Sequence, residues 1–227
     1  MTARVLVIGD THFPFVNDNY IEFLCETYSH FDCDTVVHIG DVVDNHAISF
    51  HDSEHDAMGA ENESELSQEY VDQYIQTFPE VAVCLGNHDA LVQRRAMKAG
   101  LPLRFIRDLG DIYKTGDWVW GDQHVIDGVL YTHGTGASGK NHALNMAMNN
   151  RCPVVCGHTH TNLSVNYDVN KFDRIFGMNV GCGIDIDTYA FRYGRVFPKR
   201  PVLGCGVVLD GEVAIPVPMA LERYRDV

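Results

Sequence analysis

The chain has 227 residues and a formal net charge of −14, with 45% apolar and 21% charged residues. This acidic balance disfavours broad electrostatic binding to long duplex nucleic acid or to an anionic membrane. No apolar stretch approaches the roughly 18 residues that a membrane helix needs, and the first strand begins too close to Met1 for a signal peptide. We therefore expect a cytoplasmic protein without membrane contact, folded as one domain over residues 1–227.

Three short apolar runs in the first half of the chain predict buried parallel strands. The strands are predicted at about 4–9, 35–39 and 80–85, with helices at about 18–31, 64–78 and 89–99. A strand, a crossover helix and a second strand form a βαβ unit, whose strands are parallel and adjacent. Open α/β sheets bind ligands at the carboxyl ends of such strands.

The second half of the chain changes pattern and is predicted to begin with antiparallel pairing. Asp127-Gly128 and Asp210-Gly211 each separate two apolar runs, which indicates tight hairpins. Further strands are predicted at about 153–156, 162–168, 174–181, 202–209 and 212–217, and one helix at about 140–150. This order predicts an α/β (α+β) fold with two packed sheets and helices outside them.

Polar side chains with metal-ligand chemistry follow several of the predicted strands. They are Asp10, His12, Asp41, Asn87, His133, His158 and His160. Asp10 and His12 are two residues apart, so in extended chain both side chains lie on the same face. Seven ligands exceed one tetrahedral zinc ion and suit two divalent ions that share a carboxylate. Mixed oxygen and imidazole ligands favour Mn, Fe, Zn, Ni or Co over Mg or Ca.

Two metal ions about 3.5–4 Å apart are suited to phosphoryl chemistry. They lower the pKa of a bound water and stabilise charge on the attacking and leaving oxygens. His88 follows Asn87 directly, so its side chain points away from the ligand and is predicted to act as a general acid. Asp89 is predicted to hold the His88 ring in one tautomer.

The complete set of motifs resembles the calcineurin-like metallophosphoesterase superfamily over residues 9–160. The motifs are Asp10-x-His12, Gly40-Asp41-x-x-Asp44, Gly86-Asn87-His88-Asp89, His133 and Gly157-His158-x-His160. The resemblance implies a four-layer αββα sandwich of two mixed sheets flanked by helices, with the site at its edge. The later segment Asn179-Val180-Gly181-Cys182 is similar to the Asn-Pro-Gly-Ser segment of that superfamily.

The resemblance also implies a division of roles among the candidate residues. Asp10, His12, Asp41 and His160 would hold the first metal. Asp41, Asn87, His133 and His158 would hold the second, with Asp41 as the bridge. His88 would assist the leaving group, and Mn is the first expectation for both ions.

Departures from the superfamily pattern narrow the expected function. Its Ser/Thr protein phosphatases carry Asp-Arg-Gly where this chain reads Asp44-Asn45-His46, so the Arg that grips phosphate is missing. The chain resembles the small single-domain phosphodiesterases, of bacterial or phage type. We expect a phosphodiesterase acting on a nucleotide, a cyclic nucleotide or a nucleic-acid end. A phosphomonoesterase is the alternative enzyme, and a catalytically silent protein-binding scaffold is the alternative of another class.

Two segments around the motifs keep alternative interpretations. The polar segment 45–63 is either a solvated surface loop or a lid over the site. The segment 185–201 interleaves aromatic residues with cations that include Arg192 and Arg195. It is either an edge or subunit contact, as in a homo-oligomer, or a surface that receives a nucleotide end or base of a small phosphoester or nucleotide substrate.

Overall fold

The computed structural model describes residues 2–50, 57–188 and 199–220. The strands in these ranges are β1 Arg4–Ile8, β2 Thr35–His38, β3 Ala82–Cys84, β4 Val119–Gly121, β5 Gln123–Ile126, β6 Val129–Thr132, β7 Val154–Cys156, β8 Leu163–Val169, β9 Arg174–Val180, β10 Gly204–Leu209 and β11 Val213–Pro218. The α-helices are α1 Tyr20–His30, α2 Ala60–Thr77, α3 Leu91–Lys98, α4 Leu109–Ile112 and α5 His142–Asn150, and short 3-10 helices span His46–Ile48 and Leu103–Phe105. None of these helices combines the length and the apolar character that a membrane span requires.

The strands form two mixed sheets. The first has the order β11-β10-β1-β2-β3-β4, in which β1 to β4 are parallel and β10 and β11 add an antiparallel edge. The second has the order β5-β6-β7-β9-β8, in which β6, β7 and β9 are parallel and both edge strands are antiparallel. Parallel strands at the centre of each sheet need cover on both faces.

Alternation along β1 shows how the four layers are built. Leu6 and Ile8 pack into the apolar cluster that also contains residues of α1 and α2, whereas Val5 and Val7 pack into the cluster between the two sheets. On the far side of the second sheet, Ala147 of α5 completes a third cluster. Fully burying one such aliphatic side chain contributes about 1.5–3 kcal/mol. The predicted αββα sandwich of two mixed sheets is confirmed.

The structure corrects two details of the predicted element order. β4 pairs in parallel with β3 in the first sheet, so the antiparallel pattern begins only at β5. Helix α2 begins at Ala60, so the end of the predicted polar segment 45–63 is helical. Both Asp-Gly hairpins are confirmed, and Asp127 and Gly128 have φ angles of 49° and 76°, as a type I′ turn requires.

Candidate metal centre

The residues that follow β1, β2, β3, β6 and β7 meet at one place in the structure. The ligand atoms of Asp10, His12, Asp41 and His160 all lie within 4.8 Å of one another, and so do those of Asp41, His133 and His158. Asn87 Oδ1 lies 3.2 Å from His133 Nε2, which adds the amide oxygen to the second group. The structure therefore brings all seven predicted ligands together, and Asp41 is shared by the two groups.

The carboxylates of Asp10 and Asp41 are buried, and a buried negative charge is stable only beside a positive one. Asp10 is fully buried, and its Oδ2 lies 3.0 Å from His160 Nε2. Its other oxygen, Oδ1, is buried and accepts no hydrogen bond from the described residues. Burial tends to raise the pKa of Asp41, but the neighbouring His133 holds that pKa well below its ordinary value. An anionic oxygen in this position matches a metal ligand.

The histidine tautomers provide a test of whether metal ions fit. His12 Nδ1 donates to Asp44 Oδ1 at 2.6 Å, and His133 Nδ1 donates to the Ile39 carbonyl at 3.1 Å. The Nε2 atoms of both rings therefore point inward. There His12 Nε2 lies 3.0 Å from His160 Nε2, and His133 Nε2 lies 3.2 Å from His158 Nδ1. Ring nitrogens that face each other beside buried carboxylates have the arrangement of metal ligands, so the residues fit a pair of divalent ions.

Backbone turns, rather than extended chain, direct the ligands inward. His12, Asp41 and His158 have φ angles of 49°, 50° and 68°, in the left-handed region that is costly for residues with a side chain. The extended segment predicted for Asp10 and His12 is therefore wrong. The turn is held because the backbone N–H groups of Thr11 and His12 both donate to the Asp41 carbonyl, at 3.2 and 2.9 Å.

Two glycines of the motifs are required by close approach of the ligands. A Cβ atom added to Gly86 would lie 2.2 Å from Asp41 Oδ1, and one added to Gly157 would lie 2.2 Å from Asp10 Oδ1. Either side chain would push a carboxylate out of the site. The glycines before Asn87 and His158 therefore leave room for the carboxylates of Asp41 and Asp10.

The structure assigns the support of the His88 ring to Asp44, which corrects the prediction for Asp89. His88 Nδ1 lies 2.7 Å from the Asp44 carbonyl and 3.2 Å from its Oδ1. Burial lowers the pKa of His88, but Asp44 and the charge of Asp41 together outweigh it and raise the pKa to about 10. Asp89 instead accepts backbone N–H groups from Val42, Val43 and Gly86. Its carboxylate is used to tie two loops together.

Asp44 is the functional residue that the sequence reasoning passed over. Its carboxylate contacts both His12 and His88, so one side chain joins a candidate ligand to the candidate acid. Those two histidine rings lie 4.6 Å apart between centroids. The available signal was its position three residues after Asp41 in the motif Gly40-Asp41-x-x-Asp44.

A buried amide supports the loop that carries His158. Asn179 is fully buried, and its Nδ2 lies 3.0 Å from the Gly157 carbonyl, 3.0 Å from Thr159 Oγ1 and 2.9 Å from His142 Nε2. His142 Nδ1 in turn donates to the Gly139 carbonyl at 2.8 Å. These contacts give the segment beginning at Asn179 a positioning role behind the ligands.

The predicted substrate residues Arg192 and Arg195 lie outside the described residues.

His38 links the first two motifs and makes the stability of the protein depend on pH. Its Nε2 donates to Thr11 Oγ1 at 3.1 Å, and its Nδ1 accepts the Gly40 N–H at 3.2 Å. Burial lowers the pKa of His38 to about 3. The unfolded chain then binds more protons than the folded chain, so stability falls as pH decreases through 6.5 towards 3. We expect His38 to account for a loss of about 2 kcal/mol between pH 7 and pH 5.

The measurement is urea unfolding of the metal-free protein at both pH values, compared with His38→Gln. The variant is expected to be less stable at pH 7 and to lose less stability on acidification. Equal losses in the two proteins would contradict the neutral His38 in the folded state.

The fold and the shared-carboxylate site together define a phosphoesterase-type α/β sandwich with a candidate binuclear metal centre. A family model described as calcineurin-like phosphoesterase matches residues 3–162. The chain therefore belongs to the calcineurin-like phosphoesterase family. The comparison with curated proteins found no match.

Several solved structures are similar to this chain at low identity. The nuclease MPE of Pseudomonas putida is 14% identical, with 91% of this chain and 84% of that chain covered and a TM-score of 0.46. The phosphoesterase YfcE of E. coli is 14% identical, with 90% and 87% covered and a TM-score of 0.44. Vps29 of Entamoeba histolytica in complex with zinc is 15% identical, with 90% and 84% covered and a TM-score of 0.45. At such TM-scores the substrates and partners of these proteins do not carry over to this chain.

Proposed function

We propose that this protein is a metal-dependent phosphoesterase that prefers diesters and acts on a nucleotide, a cyclic nucleotide or a nucleic-acid end. The observation that supports this most is the Asp41 carboxylate shared by two groups of ligand atoms, beside a histidine held by Asp44. Membership of the calcineurin-like phosphoesterase family supports the same class of reaction.

The proposed cofactor is a pair of divalent metal ions, with Mn as the first candidate and Fe, Zn, Ni or Co as alternatives. The proposed ligands of the first ion are Asp10, His12, Asp41 and His160, and those of the second are Asp41, Asn87, His133 and His158. When bound, such ions supply Lewis-acid activation of water and of the phosphoryl oxygens. The protein contributes the fixed positions of the ligands and the burial around them.

His88 is the proposed proton donor to the departing oxygen. Its Nδ1 is engaged by Asp44, so Nε2 is the nitrogen left to meet a substrate. The side chain is 27% exposed, unlike His12 and His133, which are 1% exposed. A partly exposed imidazole with a fixed ring can reach a bound phosphoester and still keep its orientation.

The preference for diesters rests on the residue that stands in place of the phosphatase arginine. Asn45 Nδ2 donates to the His88 carbonyl at 3.0 Å, so this amide is used within the protein. A monoester carries one more negative charge than a diester at its terminal phosphate, and Arg is the usual bidentate partner for that charge. Its replacement by Asn therefore favours the less charged substrate.

The thiols of the chain suit a reducing compartment. All seven cysteines are free, and Cys84, Cys156, Cys182 and Cys205 are fully buried. Burial raises the pKa of Cys84 and of Cys156 to about 12, so these thiols stay protonated and unreactive. We place the proposed activity in the cytoplasm on this ground.

Turnover of p-nitrophenyl esters tests the proposed function directly. With Mn added, hydrolysis of bis-p-nitrophenyl phosphate is expected to exceed that of p-nitrophenyl phosphate, and chelation is expected to abolish both. His88→Ala is expected to lower kcat about a hundredfold, because general acid catalysis contributes that much. Release of p-nitrophenol measures each rate.

His30→Ala is the matched control, because His30 is an exposed histidine at the end of α1. It is expected to leave kcat unchanged. Failure to hydrolyse either ester with any of the candidate metals would refute the enzyme proposal and favour the protein-binding scaffold.

A further inference from the structure

A cavity beside the candidate metal centre is lined by apolar and positively charged side chains that have no role in the site described so far. It has a volume of about 590 Å³ and includes Asn87 and His88 at its inner end. Phe50 and Met97 give it an apolar wall, and Arg94 and Lys98 give it positive charge. The volume is within the range of about 300–1,000 Å³ typical of small-molecule sites.

The two cations of this cavity are unusual in so acidic a protein. Arg94 Cζ lies 5.2 Å and Lys98 Nζ lies 4.5 Å from the centroid of the Phe50 ring. Within the described part of the chain, neither forms a salt bridge with a carboxylate. Two like charges near one ring repel each other, and an anion placed between them removes that repulsion. The charge pattern therefore favours an anionic ligand.

Other cavities of the described surface have the opposite character. One of about 870 Å³ is lined by three carboxylates and one cation, Asp108, Asp111, Asp122 and Lys114. Another of about 370 Å³ is lined by Asp34 and Glu80. Carboxylates repel a phosphate, so neither cavity suits a second phosphate of a nucleotide. The cavity next to His88 does.

Helix α3 holds the loop that carries Phe50 in a fixed position at this cavity. Arg95 Nε donates to the Ile48 carbonyl at 2.7 Å, Arg95 Nη2 donates to the Ser49 carbonyl, and Arg95 Cζ lies 4.1 Å from the centroid of the Phe50 ring. Arg95 thus fixes the loop that carries Phe50, whereas Arg94 and Lys98 remain for a ligand. Phe50 is 39% exposed, which leaves ring surface for a base to stack on.

We propose that this cavity binds the nucleoside and an additional phosphate of the substrate, next to the phosphate that is hydrolysed. The base would stack on Phe50, and Arg94 and Lys98 would bind the additional phosphate. The substrate class is then a nucleotide with at least one phosphate beyond the scissile one, such as a dinucleoside polyphosphate or a phosphorylated dinucleotide. This assignment rests on the proposed function, because it takes the scissile phosphate to lie at the metal centre.

Binding of ADP and of adenosine to the metal-free protein tests the cavity without any turnover. Isothermal titration calorimetry in the presence of a chelator is expected to show tighter binding of ADP than of adenosine by the wild-type protein. The double variant Arg94→Ala/Lys98→Ala is expected to bind ADP at least about tenfold more weakly and adenosine equally well, because only the charge-assisted contacts are lost. Phe50→Ala is expected to weaken both ligands, and Phe50→Tyr to restore them.

The double variant Lys171→Ala/Phe172→Ala is the matched control. Lys171 Nζ lies 5.6 Å from the Phe172 ring in the turn between β8 and β9, so this pair repeats the local chemistry away from the cavity. It is expected to bind ADP as the wild-type protein does. Wild-type protein that fails to bind ADP, or equal ADP affinity in the wild-type protein and Arg94→Ala/Lys98→Ala, overturns the assignment.

Hydrolysis of bis-p-nitrophenyl phosphate separates this inference from the proposed function. That ester has no base and no second phosphate, so its hydrolysis by the wild-type protein tests the proposed function without the contacts assigned to Phe50, Arg94 and Lys98. Wild-type protein that binds ADP through the cavity but hydrolyses no ester would refute the proposed function and leave the cavity assignment standing. Active protein with ADP binding that ignores the cavity variants would refute the cavity assignment alone.

Discussion

Asp41→Asn is expected to reduce hydrolysis of bis-p-nitrophenyl phosphate by at least about a thousandfold. Asp41 Oδ2 lies 3.1 Å from His133 Nε2 and 3.6 Å from His12 Nε2, so this oxygen faces both groups of ligand atoms. Its Oδ1 accepts the His88 N–H at 2.7 Å. An amide has one acceptor oxygen and no charge, so it cannot serve all three contacts. Lewis-acid stabilisation is worth several kcal/mol, and each 1.4 kcal/mol is a tenfold change in rate.

Metal content gives this prediction a second readout. After dialysis against Mn, the wild-type protein is expected to hold two ions per chain and Asp41→Asn fewer than one. Asp122→Asn is the control, since Asp122 is an exposed carboxylate in another cavity and its replacement changes the net charge equally. Two bound ions and undiminished turnover in Asp41→Asn would contradict the shared-carboxylate site.

The sequence determines the strand-helix order of this fold more clearly than the membership of its sheets. Alternating and continuous apolar runs depend on local burial, and they predicted β1, β2 and β3 close to their observed bounds. The sheet to which β4 belongs was harder to predict, because Val119 to Gly121 is short. Its parallel pairing with β3 depends on contacts between residues far apart in sequence. A strand of three residues contains no signal for which sheet it joins.

The candidate site was predictable where it depends on strand ends and unpredictable where it depends on turns. Asp41, Asn87 and His133 converge because each follows a central parallel strand. The contact between Asp44 and His88 depends instead on loop conformation, including the left-handed φ of 54° at Asn45. Adjacency in sequence favoured Asp89 as the partner of His88, although the folded loops place Asp44 there.

Asp44→Asn is expected to lower kcat about 10- to 100-fold and to change its pH dependence. The carboxylate accepts the His12 Nδ1 proton at 2.6 Å and supports His88, and loss of such a supporting contact typically costs that much. Because Asp44 raises the pKa of His88, its neutralisation lowers that pKa. A proton donor with a lower pKa is lost at lower pH, so the alkaline limb of the kcat profile should move to lower pH. Initial rates with bis-p-nitrophenyl phosphate across the pH range measure this shift.

Asp89→Asn tests whether Asp89 has a structural role only, in contrast to the support that Asp44 gives to His88. Asp89 is fully buried and accepts N–H groups from Val42, Val43 and Gly86, so the amide variant turns its own N–H₂ towards backbone donors that then lose an acceptor. A loss of about 2–4 kcal/mol in the free energy of unfolding is expected, because each buried donor left without an acceptor costs about 1–3 kcal/mol. The alkaline limb of kcat should stay in place, since Asp89 has no contact with the His88 ring among the described hydrogen bonds. An alkaline limb that moves in Asp89→Asn and stays in Asp44→Asn would return the support of His88 to its neighbour in sequence.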